Sequence, residues 1–215
     1  MRIGGWVPIS LCDYPGRVAS VVFTQGCNFR CPYCHNRALL PCVRDAQQLL
    51  DPELLLSKLH QRRQQISAVV VSGGEPTLQP ELPAFLTSLK SQGLAVKLDS
   101  NGSRPELLAE LIQGELIDFI AMDLKASFAE YSQLAGVLVD TRRVQRSLEL
   151  IASSGLEHEF RTTVVPGLHQ PGEVARCRAL VPTGSPYRTQ VFRPAPSLDL
   201  PAEPELGTEA AGRRS

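Results

Sequence analysis

Residues 24–37 read TQGCNFRCPYCHNR, and the rest of the chain is organised around this stretch. It places Cys27, Cys31 and Cys34 within eight residues, at C-x3-C-x2-C spacing. Thiolates are soft ligands that suit zinc, copper(I) and iron–sulfur clusters. Iron–sulfur clusters usually take four cysteines. A loop with three cysteines would therefore leave one iron free to bind a further ligand.

Two other interpretations of these thiols stay open at this point. His35 would complete a Cys3His zinc site, although one metal ion could hardly bind both His35 and the adjacent Cys34. The cysteines would otherwise be buried side chains, although Asn28, Arg30 and Pro32 between them do not form an apolar face. The spacing favours a cluster over zinc.

Short apolar runs alternate with amphipathic segments along the chain. The run at 18–24 is β-branched and ends where the cysteine loop begins, which predicts a buried strand. Asp51 and Pro52 are typical of a helix start, and Gly155 is typical of a helix end. A possible short strand lies within 2–15. Further strands are predicted at 68–71, 95–98, 119–122, 158–165 and 187–192, and further helices at 81–92, 105–113, 141–154 and 172–180.

Strands that alternate with helices predict parallel β/α units with right-handed crossovers. Six units are too few for a closed eight-fold barrel. The predicted fold class is therefore α/β, as a partial (β/α)6 TIM-like barrel. Residues 1–194 are the predicted core domain. Residues 195–215 are rich in Pro, Ala and Glu and are predicted to be a mobile tail.

Polar motifs follow four successive predicted strands, at the end where parallel β/α folds bind ligands. After the cysteine loop these are Gly73-Gly74-Glu75-Pro76, Asp99-Ser100-Asn101-Gly102 and Asp123-Leu124-Lys125. The register predicts one shared site, in which the two adjacent glycines would let the backbone approach a ligand closely. Taken singly, each motif also fits an ordinary turn or a solvated side chain.

Composition limits the classes of function. Lys plus Arg and Asp plus Glu both total 22, so the formal net charge is zero. The net charge therefore provides no overall electrostatic attraction to nucleic acid or to an anionic membrane. No long apolar run or secretory pattern predicts membrane insertion or export. Clustered cysteines fit a reducing compartment with metal use better than a disulfide framework, so we expect a cytoplasmic domain. The scattered Cys12, Cys42 and Cys177 are expected to be buried structural thiols.

The cysteine motif also resembles a known family. Asp13-Tyr14-Pro15-Gly16 precedes the cysteines and Cys34-His35-Asn36 ends the loop. Together with the C-x3-C-x2-C spacing, these motifs resemble those of the radical S-adenosylmethionine (radical SAM) enzymes, and among them the activating enzymes of glycyl-radical proteins. The resemblance is particularly to the anaerobic ribonucleoside-triphosphate reductase activases and, more distantly, to pyruvate formate-lyase activase. The resemblance extends from about residue 9 to residue 194.

This resemblance implies cofactors, chemistry and partners. A [4Fe–4S] cluster would sit on the three cysteines, with S-adenosylmethionine on the fourth iron. One electron from the reduced cluster would release methionine and a 5′-deoxyadenosyl radical, which would take a hydrogen atom from a glycine Cα of a partner glycyl-radical enzyme. The electron donor would be of flavodoxin or ferredoxin type.

The resemblance also implies roles for individual residues. The motif of Gly73, Gly74 and Glu75 would meet the amino group of S-adenosylmethionine, and Tyr33 would pack beside the adenine. Arg161 would bind a carboxylate of cofactor or substrate, or would otherwise pair with Glu159. The candidate cofactor-binding residues, in addition to these, are Asp99, Asn101, Asp123 and Lys125.

Four residues resemble the monovalent-cation site of pyruvate formate-lyase activase: Asp99, Ser100, Met122 and Asp123. Two carboxylates beside a cofactor carboxylate would repel it, so a cation between them is electrostatically reasonable. Asp99 would otherwise shape a turn, and Met122 would otherwise pack in the core.

Two other functions stay open. One is a radical SAM enzyme that acts on a small molecule, similar to the carboxy-deazaguanine synthases, which typically have Asp at the position of His35. The other is a zinc-binding module without catalysis. Pyruvate formate-lyase activase has a histidine near its sixth strand where this chain has Phe192-Arg193-Pro194, which favours a different partner protein.

Overall fold

The computed structural model describes residues 1–41 and 48–193. Within them, the strands are β1 (Ile3–Ser10), β2 (Ala19–Thr24), β3 (Ala68–Gly73), β4 (Ala95–Ser100), β5 (Phe119–Asp123), β6 (Glu157–Val164) and β7 (Tyr187–Val191). The α-helices are α1 (Pro52–Gln61), α2 (Leu82–Ser91), α3 (Pro105–Gln113), α4 (Tyr131–Ala135), α5 (Thr141–Ser153) and α6 (Glu173–Leu180). Cys42 and the predicted tail at 195–215 lie outside the described residues.

The strands form one sheet in the order of the chain, from β1 to β7. Strands β2 to β7 are parallel, and β1 is antiparallel to β2. β1 and β7 occupy the two edges, and in the described part of the chain they do not pair, so the barrel stays open. The predicted partial α/β barrel is confirmed. β1 is a full eight-residue strand, and α4, which ends at Gly136 with a φ of 68°, has no counterpart among the predicted elements.

Alternating strand side chains give the sheet two different faces. On one face, apolar strand residues pack with the helices in the main core. On the other face, a smaller cluster contains Tyr14, whose ring lies 5.8 Å from the ring of Phe119. This inner face is otherwise lined by small residues, namely Ala19, Val21, Ala68, Val70 and Ala121. Because these side chains are short, they leave space for charged side chains further along the strands.

Two predicted helix ends are confirmed. The Asp51 carboxylate accepts hydrogen bonds from the Glu53 and Leu54 amides, with Pro52 at the first position of α1. Gly155 follows α5 with a φ of 76°, a left-handed conformation that favours glycine. Among the helices of the described residues, none is long and apolar enough to cross a membrane.

Candidate functional site

The loops that follow β2, β3, β4 and β5 meet in one cleft, which we call the thiol cleft. It encloses about 860 Å³, counting the space that is open to solvent. The predicted site residues that line it are Cys27, Cys31, Tyr33, Cys34, Gly73, Gly74, Glu75, Asp99, Ser100, Asn101, Asp123 and Lys125. Met122 and Arg161 do not line it. Thr163 of β6 and Gln190 of β7 do, although no motif in the sequence had indicated them.

The three clustered cysteines are all reduced thiols, and they line the same cleft. Cys27 and Cys31 are buried, and Cys34 is half-buried. Burial raises the pKa of Cys27 to about 12 and also raises the pKa of Cys31. A thiolate at either position therefore needs positive charge close by, as iron ions would supply. Cys12, predicted to be buried, is instead exposed, whereas Cys177 is buried as predicted.

The buried side chain of Gln25 closes the cysteine loop at its base. Its amide donates hydrogen bonds to the carbonyls of Ala38, at 3.2 Å, and Pro41, at 2.8 Å. The adjacent Gly26 amide donates to the Leu39 carbonyl at 2.8 Å. These bonds join the two ends of the loop that carries the thiols. Gln25 was not predicted as a site residue, and its only sequence signal is a polar side chain between a buried strand and the first cysteine.

Gly73 and Gly74 are required by neighbouring backbone. A Cβ on Gly73 would lie 2.3 Å from the Thr24 nitrogen, and Gly73 also has a φ of 114°. A Cβ on Gly74 would lie 2.1 Å from the carbonyl oxygen of Gly26. The glycines therefore let the loop after β3 pack directly against the loop that carries the thiols. Their predicted contact with a ligand is an additional role.

The Glu75 carboxylate connects the loops after β3 and β4. It is buried and accepts hydrogen bonds from the Thr77 hydroxyl at 2.5 Å, the Ser100 hydroxyl at 2.9 Å and the Asn101 amide at 2.7 Å. Burial raises the pKa of Glu75, and these hydrogen bonds oppose the rise. The Asn101 side chain then donates to Asn28 at 2.9 Å, which extends the connection to the cysteine loop. The Thr77 amide also donates to this carboxylate, at 3.1 Å, so Glu75 already accepts the four or so hydrogen bonds that a carboxylate can take. The predicted contact with an ammonium group stays a prediction.

Asp99 and Asp123 are brought together, and Arg161 lies between them. The Arg161 Nε is 3.0 Å from Asp123 Oδ1, and its Nη2 is 3.5 Å from Asp99 Oδ2. Each carboxylate also has a lysine: Lys97 Nζ is 2.5 Å from Asp99, and Lys125 Nζ is 3.1 Å from Asp123. Burial would raise the pKa of Asp123, but Arg161 and Lys125 outweigh it and hold the pKa below its ordinary range. Asp123 is therefore ionised at neutral pH.

Three protein carboxylates surround Arg161, and one of them is Glu159, the alternative partner predicted above. Its Nη1 lies 3.9 Å from Glu159, farther than its distances to Asp99 and Asp123. Burial would lower the pKa of Arg161, but the surrounding carboxylates raise it. A ligand carboxylate is therefore not needed to neutralise this guanidinium.

The four residues of the predicted cation site divide between the two faces of the sheet. Asp99 and Asp123 lie on the inner face. The Met122 side chain lies on the opposite face, fully buried in the main core, because adjacent strand residues point in opposite directions. A Cβ on Gly102 would meet the Met122 methyl at 2.1 Å. The Met122 side chain therefore has the packing role that was the alternative prediction, and occupancy by a monovalent cation stays a prediction.

Aromatic contacts join the cysteine loop to the end of β7. The His35 ring stacks on Phe192 with ring centroids 4.8 Å apart, and its Nε2 lies 2.8 Å from the Arg193 carbonyl. Tyr33 packs edge-on against Phe192 at 6.3 Å. The Tyr33 hydroxyl is buried and has no hydrogen-bond partner among the described residues. A polar atom of a ligand in the thiol cleft would supply that partner.

The arrangement of the thiols does not fit a single metal ion. Across residues 1–41 and 48–193, no three Cys, His, Asp or Glu side chains lie close enough together to hold one ion. The engagement of His35 with Phe192 and Arg193 also argues against the Cys3His zinc alternative.

Comparison with known proteins decides the family. The profile of the Radical SAM superfamily matches residues 21–171. The chain belongs to the radical SAM superfamily. This radical SAM protein is 31% identical to a protein of Methanocaldococcus jannaschii assigned by name as a glycyl-radical enzyme activating enzyme, over 95% of this chain and 88% of that protein. It is 29% identical to the pyruvate formate-lyase 1-activating enzyme of Escherichia coli K12, over 81% of this chain and 75% of that enzyme.

Solved structures show the same fold. SuiB of Streptococcus suis shares 13% identity and a TM-score of 0.62, over 82% of this chain and 40% of that chain. The structure of anSMEcpe with bound AdoMet shares 17% identity and a TM-score of 0.60, over 79% of this chain and 49% of that chain. The predicted resemblance to radical SAM activating enzymes is thus confirmed by sequence relatives, and the predicted fold by structural ones.

Proposed function

We propose that this radical SAM enzyme generates a glycyl radical on a partner protein, and that the partner is an anaerobic ribonucleoside-triphosphate reductase. The observation that carries the proposal is one cleft lined by three reduced thiols, a glycine-rich turn and the Asp123–Lys125 pair. The names of its sequence relatives support activation of a glycyl-radical enzyme. The stretch Phe192-Arg193-Pro194, where pyruvate formate-lyase activase has a histidine, supports a partner other than pyruvate formate-lyase.

The residues of the thiol cleft fit the cofactors that the family implies. Cys27, Cys31 and Cys34 would hold a [4Fe–4S] cluster. The Tyr33 hydroxyl, which has no hydrogen-bond partner in the described part of the chain, would meet S-adenosylmethionine together with Lys125. When bound and reduced, the cluster would supply the one electron that cleaves S-adenosylmethionine to methionine and a 5′-deoxyadenosyl radical, and hydrogen transfer from a glycine Cα would leave 5′-deoxyadenosine and a glycyl radical.

The protein itself orients the cofactors and excludes water. Glu75 and Asn101 keep the loops after β3 and β4 fixed against the cysteine loop. Lys125 presents an ammonium group that Asp123 keeps protonated, since the pKa of Lys125 lies well above its ordinary value although burial would lower it. Such a group would bind the carboxylate of the cofactor.

Further parts of the proposal follow the family resemblance. The electron comes from a flavodoxin- or ferredoxin-type protein. Residues 1–194 form one catalytic domain. A monovalent cation beside Asp99 and Asp123 would have to share their oxygens with the guanidinium of Arg161.

The test begins with formation of 5′-deoxyadenosine. Protein reconstituted anaerobically with iron and sulfide is reduced by dithionite in the presence of S-adenosylmethionine. Cys31→Ala should bind less iron and form no product. Cys12→Ala, which removes an exposed thiol outside the cleft, should behave like the parent protein.

The second stage tests the partner. The anaerobic reductase encoded in the same genome is added, and the glycyl radical is measured by electron paramagnetic resonance. A radical on the reductase that disappears on substitution of its radical glycine confirms the proposal. Formation of 5′-deoxyadenosine without any protein radical would favour a small-molecule substrate instead, and failure to bind iron and sulfide would overturn the proposal entirely.

A further inference from the structure

The turn that carries Lys125 is held by its backbone from the neighbouring unit. The Leu124 amide donates to the Arg161 carbonyl at 2.8 Å, and the Leu124 carbonyl accepts from the Thr162 hydroxyl at 2.8 Å. Both partners belong to β6. The position of Lys125 in the thiol cleft therefore depends on residues that are far away in sequence.

His169, in the loop between β6 and α6, makes the next contact. Its Nδ1 accepts a hydrogen bond from the Val165 amide at 3.0 Å. Its Nε2 lies 3.0 Å from the Lys125 carbonyl oxygen. Since an amide N–H must donate and a carbonyl oxygen must accept, the ring carries its proton on Nε2. Each nitrogen therefore has a distinct function, one within its own loop and one toward Lys125.

The His169 ring also lies near Tyr33, an aromatic residue that lines the thiol cleft. Its ring centroid lies 6.2 Å from that of Tyr33. Beyond Lys125, the buried Glu173 carboxylate accepts a hydrogen bond from the Ser127 amide and pairs with Arg176 at 2.6 Å. The β6–α6 segment thus fixes the turn at Lys125 and again two residues later.

We propose that His169 is a positioning residue that places the Lys125 ammonium group for S-adenosylmethionine through the hydrogen bond from Nε2 to the Lys125 carbonyl. This inference rests on the proposed function, in which Lys125 contacts the cofactor. His169 does not line the cleft and acts only through the backbone of Lys125 and the packing of Tyr33.

Two substitutions separate the functions of the two nitrogens. In His169→Gln the amide nitrogen replaces Nε2 and retains a donor toward Lys125. In His169→Asn the amide oxygen replaces Nδ1, which retains the acceptor for Val165 and loses the donor. We expect His169→Asn to raise the Kd for S-adenosylmethionine about fivefold or more, and His169→Gln to stay close to the parent value.

The Kd is measured by equilibrium binding to reconstituted, unreduced protein with matched iron content. Amide hydrogen exchange at 124–127, which needs no cofactor, should be faster in His169→Asn and unchanged in His169→Gln. If His169→Asn does not fold, His169→Phe keeps the ring against Tyr33 without either hydrogen bond and is compared instead.

His158→Asn is the matched control. His158 is also half-buried, its Nδ1 lies 2.8 Å from the Leu156 carbonyl and its Nε2 lies 3.0 Å from the Ser185 hydroxyl, but it does not line the cleft. It should lower stability without changing the Kd. Equal losses of affinity in His169→Asn and His169→Gln, or no loss in either, would overturn the inference.

Lys125→Met distinguishes this inference from the proposed function. If Lys125→Met weakens binding and His169→Asn does not, the positioning role alone fails. If Lys125→Met binds normally, the proposed role of Lys125 fails, and the inference about His169 fails with it.

Discussion

Substitution of Gly74 by alanine should displace the cysteine loop, because Gly74 lies in the neighbouring turn and packs directly against that loop. The new Cβ would lie 2.1 Å from the Gly26 carbonyl oxygen, whereas real Cβ atoms essentially never come within 3.0 Å of such an atom. The two segments must therefore separate by about 1 Å. This displacement would break the 2.8 Å hydrogen bond from the Glu75 amide to the same oxygen, because its length would exceed the limit for a hydrogen bond.

The expected loss of stability follows from these two effects. Overpacking a tight contact costs about 1–3 kcal/mol, and one lost backbone hydrogen bond costs about 1 kcal/mol. The unfolding free energy of Gly74→Ala should therefore fall by about 2–4 kcal/mol, and a domain of this size should melt about 10 °C lower. Thermal unfolding followed by circular dichroism measures the first effect. Iron bound per chain after anaerobic reconstitution measures distortion of the thiols.

Gly5→Ala is the matched control. A Cβ on Gly5 would lie 3.8 Å from the Phe23 ring, which is an ordinary contact, and Gly5 is also in a strand of the same sheet. It should melt within about 2 °C of the parent and bind the same amount of iron. If Gly74→Ala also melts and binds iron like the parent, the two loops are not packed as described, and the steric explanation for the glycine pair is wrong.

Three further predictions concern the cleft and its support. Arg161→Met should lower the unfolding free energy by about 3 kcal/mol, because Asp99 and Asp123 then face each other without the guanidinium between them. Unchanged denaturant unfolding would contradict this. Tyr33→Phe should leave the stability of the cofactor-free protein unchanged or raise it by about 1 kcal/mol, since the hydroxyl has no partner among the described residues. The same substitution should reduce the rise in melting temperature that S-adenosylmethionine produces. An equal rise in parent and variant would contradict a contact between the hydroxyl and the ligand. Burial would raise the pKa of Glu173, but the hydrogen bonds and the ion pair of this carboxylate hold the pKa below its ordinary value. The ionised Glu173 therefore stabilises the fold fully above its ordinary pKa of about 4.3, and this stabilisation is lost as the pH falls through the lower pKa of the folded protein. The stability difference between parent and Glu173→Gln should accordingly be about 2 kcal/mol at pH 7 and narrow below about pH 4, and a difference that is constant with pH would refute the assignment.

The sequence predicted the location of the site because the logic of parallel β/α units is local. Strands β2 to β5 could be recognised from apolar runs, and the polar residues after each of them had to lie at the carboxyl edge of the sheet. The motifs after β2, β3, β4 and β5 accordingly meet in one cleft. The antiparallel β1 was expected only as a possible short strand, because Gly4, Gly5 and Pro8 weaken the strand pattern that its pairing with β2 establishes.

Side-chain partners across the sheet could not be predicted in the same way. The Glu75 carboxylate binds Ser100 and Asn101, and the Gln25 amide binds Ala38 and Pro41, so each bond depends on how two separate loops approach. His169 shows the same limit, since its partner Lys125 is 44 positions away in the chain. Adjacent strand residues point to opposite faces of a sheet, so the sequence alone could have predicted that Met122 and Asp123 lie on different faces. The prediction of a cation site followed the family resemblance instead and grouped the two residues together.

The charges on the inner face depend on the small residues that share it. Lys97, Asp99, Asp123 and Arg161 would be costly on this face if their charges were unpaired. They are stable there because Ala19, Ala68 and Ala121 leave room for the side chains to reach one another, with Lys97 2.5 Å from Asp99 and Arg161 3.0 Å from Asp123. A protein that needs only a stable core would fill this space with apolar side chains, which are often at least as stabilising as a buried ion pair. The paired charges beneath the thiol cleft therefore give this part of the inner face a polar character that stability alone does not require.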